Sequence, residues 1–244
     1  MTATWDPFDY LVINLARLIQ PNEVVFSGVN STIPMLACLL AKRTAAFDFT
    51  YINVAGGVDP APRHSPLSSS DPELARGSAA IFSNEDFYDL CTRGEMDLCF
   101  LGAAQIDKAG NTNNSVIGNW HKPKVRLPGG GGGAVMLPTA RRAATWRTEH
   151  SRRTLVETLD FTTATGGMSC IVTPIAVLVQ QTSGLEIESH HPDVTPEEVA
   201  GRTGFPLSLQ GCRATSLPTQ AEMAALAALD PDRRHKADAN VQLR

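Results

Sequence analysis

Residues 23–57 read EVVFSGVNSTIPMLACLLAKRTAAFDFTYINVAGG, a stretch that predicts a strand, a helix and a second strand in succession. The short apolar runs at 23–26 and 49–54 are typical of buried strands, and each one leads into glycine. Residues 31–43 predict the helix between them, because Pro34 falls in the first turn, where proline is tolerated. Parallel sheets are built from strand–helix–strand units of this kind, so the stretch predicts an α/β fold.

Helix and strand signals alternate along the rest of the chain as well. Apolar residues three and four positions apart predict a first helix that ends at Pro21. The other predicted helices lie at 83–91, 195–201 and 219–230, and the other predicted strands lie at 97–101, 142–146, 161–163 and 171–179.

No internal repeat and no linker divides this pattern. We therefore expect one α/β domain over residues 1–244, with an open, largely parallel sheet and flanking helices. The polar C-terminal tail at about 231–244 is expected to be frayed or to rest on a partner.

The composition argues against several classes of protein. The 244 residues include 21 Lys and Arg against 25 Asp and Glu, and 43% of them are hydrophobic. This apolar content argues against disorder, and the small acidic surplus argues against nucleic acid as the main partner. No run of 18 apolar residues predicts a membrane span. The first ten residues carry two acids and no base, unlike the start of a signal peptide.

The number and spacing of the cysteines and histidines bear on the compartment of the protein and on metal binding. The five cysteines form no CxxC pair, so we expect reduced thiols in a cytoplasmic protein. Neither the cysteines nor the six histidines have the spacing of metal ligands, so no metal site is predicted.

Three loops that follow predicted strands form the candidate site, because ligands of parallel sheets bind at the carboxyl ends of the strands. The first loop, at 53–72, is rich in glycine, proline and serine and is long enough to act as a lid. The second loop, at 102–115, contains Gln105 and three asparagines. The third loop, at 123–136, contains five consecutive glycines at 129–133.

The glycine run allows three interpretations. It contains the dinucleotide fingerprint G-x-G-x-x-A, although Pro128 and Pro138 argue against the full helix that this fingerprint needs. Glycine also lets backbone N–H groups approach a ligand oxygen, as in an oxyanion hole. Alternatively, the run is a flexible surface loop. Arg126, three residues before the run, could hold a carboxylate or a phosphate beside those amides, or form an ordinary surface salt bridge.

The second loop has a structural and a functional interpretation. Asn113, Asn114 and Gly110 are typical turn residues, since asparagine and glycine tolerate left-handed backbone conformations. Gln105 lies on the strand side of the loop and is the better candidate for a contact with substrate. No G-x-S-x-G motif and no recognisable nucleophile turn is present, so a catalytic triad is not predicted.

Taken in order, these loops resemble segments of one enzyme family. Residues 97–134, DLCFLGAAQIDKAGNTNNSVIGNWHKPKVRLPGGGGGA, are similar to the LGAxQID–GNxN and PKVRLPGxGGA segments of family I CoA-transferase β subunits, glutaconate CoA-transferase among them. VTPIAVL at 172–178 and SHHPDVTPEEVAGRTGFPL at 189–207 are similar to two further segments of that subunit. The resemblance spans about residues 10–210. It implies an open α/β fold on a parallel sheet and a related α subunit as partner, commonly in an α2β2 assembly.

One position departs from the family pattern. Family transferases use a glutamate of this subunit, at a strand end that reads E-S-G or E-N-G, to attack the acyl-CoA and carry CoA as a thioester. The matching triplet here is Val54-Ala55-Gly56, and a shift of the alignment by one residue places no carboxylate there either. The nearest downstream acid is Asp59, which has a shorter side chain. Covalent CoA transfer by this subunit is therefore not expected.

In lacking this glutamate while keeping the other motifs, the chain resembles the β subunit of the actinobacterial steroid-degrading branch of the family. That branch opens a ring of a CoA thioester left from steroid rings C and D. The resemblance implies a hydrolytic, retro-Claisen-like cleavage of a carbon–carbon bond, with a glutamate of the α subunit as the base. No cofactor is then bound permanently, and coenzyme A enters as part of the substrate.

The resemblance also suggests roles for residues of the three loops. Arg126 would orient a substrate carboxylate or stabilise developing negative charge. The residues expected to bind the substrate and its CoA are Val54, Ala55, Gly56, Gln105, Asn111, Gly130, Gly131 and Gly132. Two alternatives stay open: a true CoA-transferase β subunit whose nucleophile lies elsewhere, and a noncatalytic CoA-binding subunit that completes the partner's pocket.

Overall fold

The computed structural model describes residues 6–236, which fall into two compact units. The first unit comprises the described residues up to Phe100 and those from Ser216 onward, and the second unit comprises Leu101–Thr215. The single domain over residues 1–244 stays a prediction. Residues 237–244 of the predicted C-terminal tail lie outside the described residues.

Each helix that the sequence predicts is present, close to the predicted residues. In chain order the strands are β1 (Val24–Ser27), β2 (Thr50–Asn53), β3 (Gly57–Val58), β4 (Ala80–Ile81), β5 (Leu98–Gly102), β6 (Gln105–Asp107), β7 (Thr112–Asn113), β8 (Val116–Gly118), β9 (Pro123–Arg126), β10 (Arg142–Trp146), β11 (Leu155–Val156), β12 (Met168–Val172), β13 (Ala176–Gln181), β14 (Gly184–His190) and β15 (Arg213–Ala214). The helices are α1 (Pro7–Arg17), α2 (Thr32–Thr44), α3 (Asn84–Thr92), α4 (Gly133–Thr139), α5 (Pro196–Arg202) and α6 (Gln220–Leu229), with a 3-10 turn at Pro72–Leu74. Within residues 6–236, none of them is long and apolar enough to cross a membrane.

The sheet of the first unit is built around β1, which has a parallel neighbour on each side. Val25 of β1 lies opposite Tyr51 of β2 and opposite Leu98 of β5. Beyond β2, the strands β3 and β4 continue the sheet in antiparallel register. Helix α2 packs against α1 and α6, and the apolar residues of α1 and α2 are buried. The predicted α/β fold with a largely parallel sheet and flanking helices is confirmed.

The second unit has a sheet in which β10 and β12 are parallel. Strands β13 and β14 follow in antiparallel register, and β15 lies parallel to β14 at the edge. Two smaller sheets complete the unit: β6 lies between β7 and β11, and β8 and β9 form an antiparallel hairpin. The β6–β7 hairpin lies within the second loop of the candidate site, whereas the third loop begins with β9 and continues through the glycine run into α4.

Two strand predictions are wrong. Residues 171–179 form the end of β12 and most of β13, which run antiparallel to each other. The chain reverses at Thr173, whose Oγ1 accepts a hydrogen bond from the Ala176 N–H at 3.1 Å, while Pro174 has no N–H to offer a strand. Residues 161–163 are not a strand, since the bridge recorded beside them is an isolated one between Thr112 and Ala164.

The described part of the predicted tail, residues 231–236, is folded rather than frayed. Arg233 and Lys236 form ion pairs with Asp9, and His235 lies between Asp9 and Asp230. These contacts join the end of α6 to the start of α1 within the first unit, so this part of the tail is held by its own chain.

Candidate active site

The chain leaves β2 through a tight turn at Val54 and Ala55, in the first unit. Asn53 is fully buried and holds this turn: its Oδ1 accepts a hydrogen bond from the Ala55 N–H at 3.0 Å, and its Nδ2 donates to the Gly57 carbonyl at 2.9 Å. Gly56 has a φ of 90°, and a Cβ on it would lie 2.8 Å from a backbone carbonyl oxygen. The turn therefore requires glycine at 56 and presents Val54 and Ala55, both half-buried, at the carboxyl end of the strand.

Asp59, the nearest acid downstream of this turn, is engaged in the fold. Its Oδ1 accepts a hydrogen bond from the Tyr51 N–H at 2.8 Å and forms an ion pair with Lys42 Nζ at 2.6 Å. A carboxylate held by an amide and an ammonium group has its negative charge stabilised in place, which makes it a poor nucleophile. Residues 53–59 therefore present no free carboxylate.

In the second unit, two asparagines fold the second loop back on itself. Asn113 is fully buried, and its Nδ2 donates to the Gln105 side chain and to the Val116 carbonyl, both at 2.7 Å. The Asn114 side chain donates to the Gly102 carbonyl at 2.9 Å. Both asparagines thus stabilise the turn, as the structural interpretation of the loop predicts.

Gln105 and Asn111, the two amides predicted to line the pocket, make hydrogen bonds within the fold. The Gln105 side chain is buried, and its Nε2 donates to Asp160 Oδ2 at 3.2 Å. Asn111 Nδ2 donates to Asp107 Oδ2 at 3.0 Å within the turn that joins β6 to β7. A direct contact of either residue with substrate stays a prediction.

The glycine run lies beside the second loop. Gly129, at a φ of 98°, donates its N–H to the Asn114 carbonyl at 2.7 Å. The backbone N–H groups of Gly130, Gly131 and Gly132 have no hydrogen-bond acceptor within residues 6–236. These three amides are therefore available to a ligand oxygen, as the oxyanion-hole interpretation requires.

A short helix, α4, follows the glycine run, and with seven residues it is not the full helix that Pro128 and Pro138 argue against. Pro138 lies near the end of this helix, where it has no N–H to donate to the carbonyl four residues back. The strand before the run, β9, belongs to an antiparallel hairpin with β8 and not to a parallel sheet. The dinucleotide fingerprint therefore lacks the parallel strand–helix–strand unit that it needs.

Arg126 ends β9, and its exposed guanidinium lies on an aromatic ring. Arg126 Cζ is 4.6 Å from the centroid of the Trp120 ring, and Nη2 donates to the Trp120 carbonyl oxygen at 3.1 Å. The Trp120 ring stacks on Phe161, with centroids 4.6 Å apart and an interplanar angle of 22°. Arg126 has no carboxylate partner in the part of the chain that the structure describes, so it forms no surface salt bridge there.

Residues 10–201 match the family model of coenzyme A transferase. The chain belongs to the coenzyme A transferase family. It is 32% identical to the β subunit of 3-oxoadipate CoA-transferase from Pseudomonas knackmussii, over 91% of this chain and 92% of that protein. It is 26% identical to the β subunit of glutaconate CoA-transferase from Acidaminococcus fermentans, over 81% of this chain and 82% of that protein. The predicted resemblance to the β subunit of such transferases is confirmed.

A solved structure adds a different reaction to this set. The chain superposes on a chain of the decarboxylase AibA/AibB with a TM-score of 0.89 and 32% identity, covering 95% of this chain and 97% of that one. The similar transferase chains are subunits of heteromeric enzymes. Because transferases and a decarboxylase share this fold, the reaction has to be argued from the site.

Residues 160–163, which the sequence did not indicate as part of the site, contact both the second loop and Trp120 in this CoA-transferase family chain. Asp160 Oδ2 accepts hydrogen bonds from Gln105 Nε2 at 3.2 Å and from the Gly118 N–H at 2.9 Å. Thr163 Oγ1 accepts a hydrogen bond from the Asn114 N–H at 2.9 Å. Between them, Phe161 stacks on Trp120. The acid, the ring and the hydroxyl of this segment were visible in the sequence, but nothing in their spacing predicts that they lie beside loops far earlier in the chain.

The structure thus connects some of the predicted site residues and not others. Within the second unit, Gln105, Arg126 and Gly130 are linked through residues 160–163, because a Cβ on Gly130 would meet Thr163 at 2.8 Å. Asn111 bonds to Asp107 instead. Gly131 and Gly132 follow Gly130 in the same run, and the three other predicted residues, Val54, Ala55 and Gly56, belong to the first unit.

Proposed function

We propose that the chain is the β subunit of a heteromeric enzyme that cleaves a carbon–carbon bond of a CoA thioester, and that this subunit carries no covalent CoA intermediate. The turn after β2 supports this proposal most strongly. Where family transferases use a glutamate, this turn has Val54, and the nearest acid, Asp59, is paired with Lys42. A valine side chain has no atom that can attack an acyl carbon.

The second unit offers groups that stabilise negative charge. Cleavage of a carbon–carbon bond next to a thioester carbonyl leaves an enolate, so such a site needs N–H donors and a cation rather than a nucleophile. The unpaired amides of Gly130, Gly131 and Gly132 are donors of this kind. We assign these amides to the developing oxyanion and the Arg126 guanidinium to a substrate carboxylate.

In finer detail, the proposed reaction is the hydrolytic opening of a ring in a CoA thioester derived from steroid rings C and D. A water molecule, deprotonated by a glutamate of the α subunit, adds to a ring ketone. The bond from that carbon to the carbon beside the thioester then breaks. The ketone carbon becomes a carboxylate, and the thioester enolate takes up a proton. The retained glutaconate-type loops, together with the missing glutamate, support this assignment.

A second candidate, decarboxylation, is favoured by the 32% identity to a chain of the decarboxylase AibA/AibB. The bond to a substrate carboxylate would break, and CO2 would leave while the electron pair stays on the thioester enolate, which then takes up a proton. The same amides would stabilise the same charge, and Arg126 would hold the carboxylate before it leaves. The two reactions therefore differ in whether a carboxyl group is formed or lost. Both need the same amides and the same guanidinium of this chain.

Product analysis in oxygen-18 water distinguishes these reactions from CoA transfer. The complex of this chain with its α partner is incubated with a cyclic β-keto CoA thioester, with a carboxyl-bearing acyl-CoA, and with acetate as an added acceptor. Ring opening adds one water and places oxygen-18 in a new carboxylate, whereas decarboxylation releases CO2. Movement of CoA to acetate, with the carbon skeleton intact, contradicts the proposal.

The proposal extends to the assembly and its surroundings. We propose an α2β2 complex with an α subunit of the same family, in which coenzyme A enters as part of the substrate and no cofactor is bound permanently. The described residues contain no group of His, Cys, Asp and Glu side chains that could hold a metal ion. All five cysteines are free thiols, which supports a cytoplasmic location.

A further inference from the structure

We infer that Trp120 and Phe161 are positioning residues, which fix the direction of the Arg126 guanidinium so that it receives a carboxylate on the acyl group of the substrate. The inference rests on the proposed function, because it names the part of the CoA thioester that this side chain recognises. Neither aromatic residue is assigned a contact with the reacting atoms.

Two contacts with one residue restrain the Arg126 side chain. Its Cζ lies 4.6 Å from the Trp120 ring centroid, and its Nη2 donates to the Trp120 carbonyl oxygen at 3.1 Å. Both residues belong to the β8–β9 hairpin, where Val116 lies opposite Arg126 and the chain turns back at Trp120. The ring thus restrains the guanidinium from one side, and the carbonyl holds its Nη2.

Trp120 is exposed to 45%, so it needs a support of its own to hold a fixed orientation. Phe161 provides this support, since the two rings stack at 4.6 Å with an angle of 22° between their planes. The backbone beside Phe161 is held in turn by Asp160, whose Oδ2 accepts from the Gly118 N–H at 2.9 Å. A line of contacts therefore leads from the foot of the hairpin through Phe161 and Trp120 to Arg126.

This arrangement suits recognition of a carboxylate by an exposed arginine. A free arginine side chain samples many rotamers, which are lost when it binds a ligand, whereas a stacked guanidinium has already lost most of them. Nη2 donates to the Trp120 carbonyl, and the other N–H groups of the guanidinium have no partner within residues 6–236. Those N–H groups suit the two oxygens of a carboxylate, the group that Arg126 lacks as a partner within the described chain.

The test compares two CoA thioesters that differ in one group. The α/β complex is titrated by calorimetry with glutaryl-CoA, whose acyl chain ends in a carboxylate, and with valeryl-CoA, which has a methyl group in its place. We expect Trp120→Ala to weaken glutaryl-CoA binding by about three- to tenfold and to leave valeryl-CoA binding unchanged. Trp120→Phe keeps a flat ring under the guanidinium and should restore most of the affinity.

Two further variants separate positioning from a general structural effect. In an Arg126→Ala background, Trp120→Ala should weaken glutaryl-CoA binding no further, because its effect passes through Arg126. Val125→Ala alters an exposed side chain of the same hairpin that lies outside the stack, and it should change neither affinity. Gel filtration confirms that each variant complex is assembled.

The outcomes also separate this inference from the proposed function. Equal losses for both thioesters in Trp120→Ala, or a further loss in the Arg126→Ala background, would overturn the inference and leave the function standing. A wild-type complex that binds both thioesters equally would overturn it as well. A wild-type complex that binds neither thioester would contradict the proposed function itself.

Discussion

The methyl group of Thr163 occupies the space that a side chain on Gly130 would need. A Cβ built on Gly130 would lie 2.8 Å from Thr163 Cγ2 and 3.3 Å from the Ala134 Cβ. The hydroxyl of the same threonine accepts a hydrogen bond from the Asn114 N–H at 2.9 Å. One side chain therefore holds the second loop and also lets the glycine run lie close to it.

Gly130→Ala should lower the turnover of the α/β complex by about tenfold, because the added methyl group displaces the neighbouring amides by a few tenths of an ångström. Adding Thr163→Ser should restore much of the rate, since serine lacks the clashing methyl group and keeps the hydroxyl. Thr163→Val, which loses the hydroxyl, is the matched control and should not restore it. The steady-state kcat is measured for the wild type, for Gly130→Ala and for the two double variants. A Gly130→Ala/Thr163→Ser variant no faster than Gly130→Ala would refute this packing argument.

Arg126→Ala should leave the complex assembled and reduce its turnover by about 10²-fold, because the substrate carboxylate loses the cation that orients it. Arg213→Ala serves as a control, because Arg213 is an exposed arginine of the same unit that pairs with Glu188. Unchanged turnover of Arg126→Ala in an intact complex would favour the alternative in which this subunit only binds CoA and completes the partner's pocket.

His150 should make the protein less stable in mild acid. Its ring is buried between two hydroxyls, with Nδ1 2.9 Å from Thr173 Oγ1 and Nε2 2.9 Å from Thr203 Oγ1. Burial lowers the pKa of His150 from 6.5 to about 4, so between these values the unfolded chain binds a proton that the folded chain does not. The stability is present above pH 6.5 and is lost as the pH falls, by about 2 kcal/mol between pH 6.5 and pH 5.

Urea unfolding of the purified protein at pH 7 and at pH 5 measures this loss. His150→Gln should flatten the difference between the two pH values, because glutamine does not titrate. The buried carboxyl of Asp9 does not interfere, since its pKa is lowered from 3.8 to about 2 and its contribution is lost only below about pH 4. A His150→Gln protein with the full pH dependence of the wild type would assign the effect to other groups.

His235 should be important for stability, because it links two buried carboxylates. Its Nε2 lies 2.8 Å from Asp9 Oδ1, and its Nδ1 lies 2.6 Å from Asp230 Oδ2. Burial alone would raise the pKa of Asp9, and the hydrogen bond from His235 is among the interactions that lower it to about 2. His235→Ala should cost about 3–5 kcal/mol and lower the unfolding midpoint by about 10 °C.

Exposed His121 offers the matched control for this variant. His121→Ala should change the free energy of unfolding by less than about 0.5 kcal/mol. Thermal unfolding followed by circular dichroism compares the two variants with the wild type. Equal midpoints for His235→Ala and the wild type would mean that the ion pairs of residues 233–236 do not hold the end of the chain.

The fold was largely predictable because its signals are local. The capping boxes that begin α5 and α6, at Thr195 and Thr219, form as the sequence predicts, with each side-chain oxygen accepting a backbone N–H. The run at 171–179 was misleading because one apolar stretch can be a single buried strand or two strands joined by a tight turn. Pro174 is the sequence signal for the turn, and the hydrogen bonds of Thr173 show that the chain reverses there.

The sequence predicted several residues of the site but not the side-chain contacts between them. Motif order located Arg126 and the glycine run, since both lie in segments that resemble the family. The stacking of Trp120 on Phe161 and the ion pair of Asp59 with Lys42 depend on contacts between residues distant in sequence. No spacing rule predicts such contacts.

The central claim is that the α/β complex works without a covalent CoA intermediate on either subunit, and a trapping experiment tests it most directly. Wild-type complex and a Val54→Glu complex are incubated with acyl-CoA and treated with borohydride, and each subunit is weighed by mass spectrometry. We predict no modified residue on either wild-type subunit, and a reduced side chain at position 54 in the Val54→Glu protein alone. A CoA thioester trapped on either chain of the wild-type complex would contradict the claim.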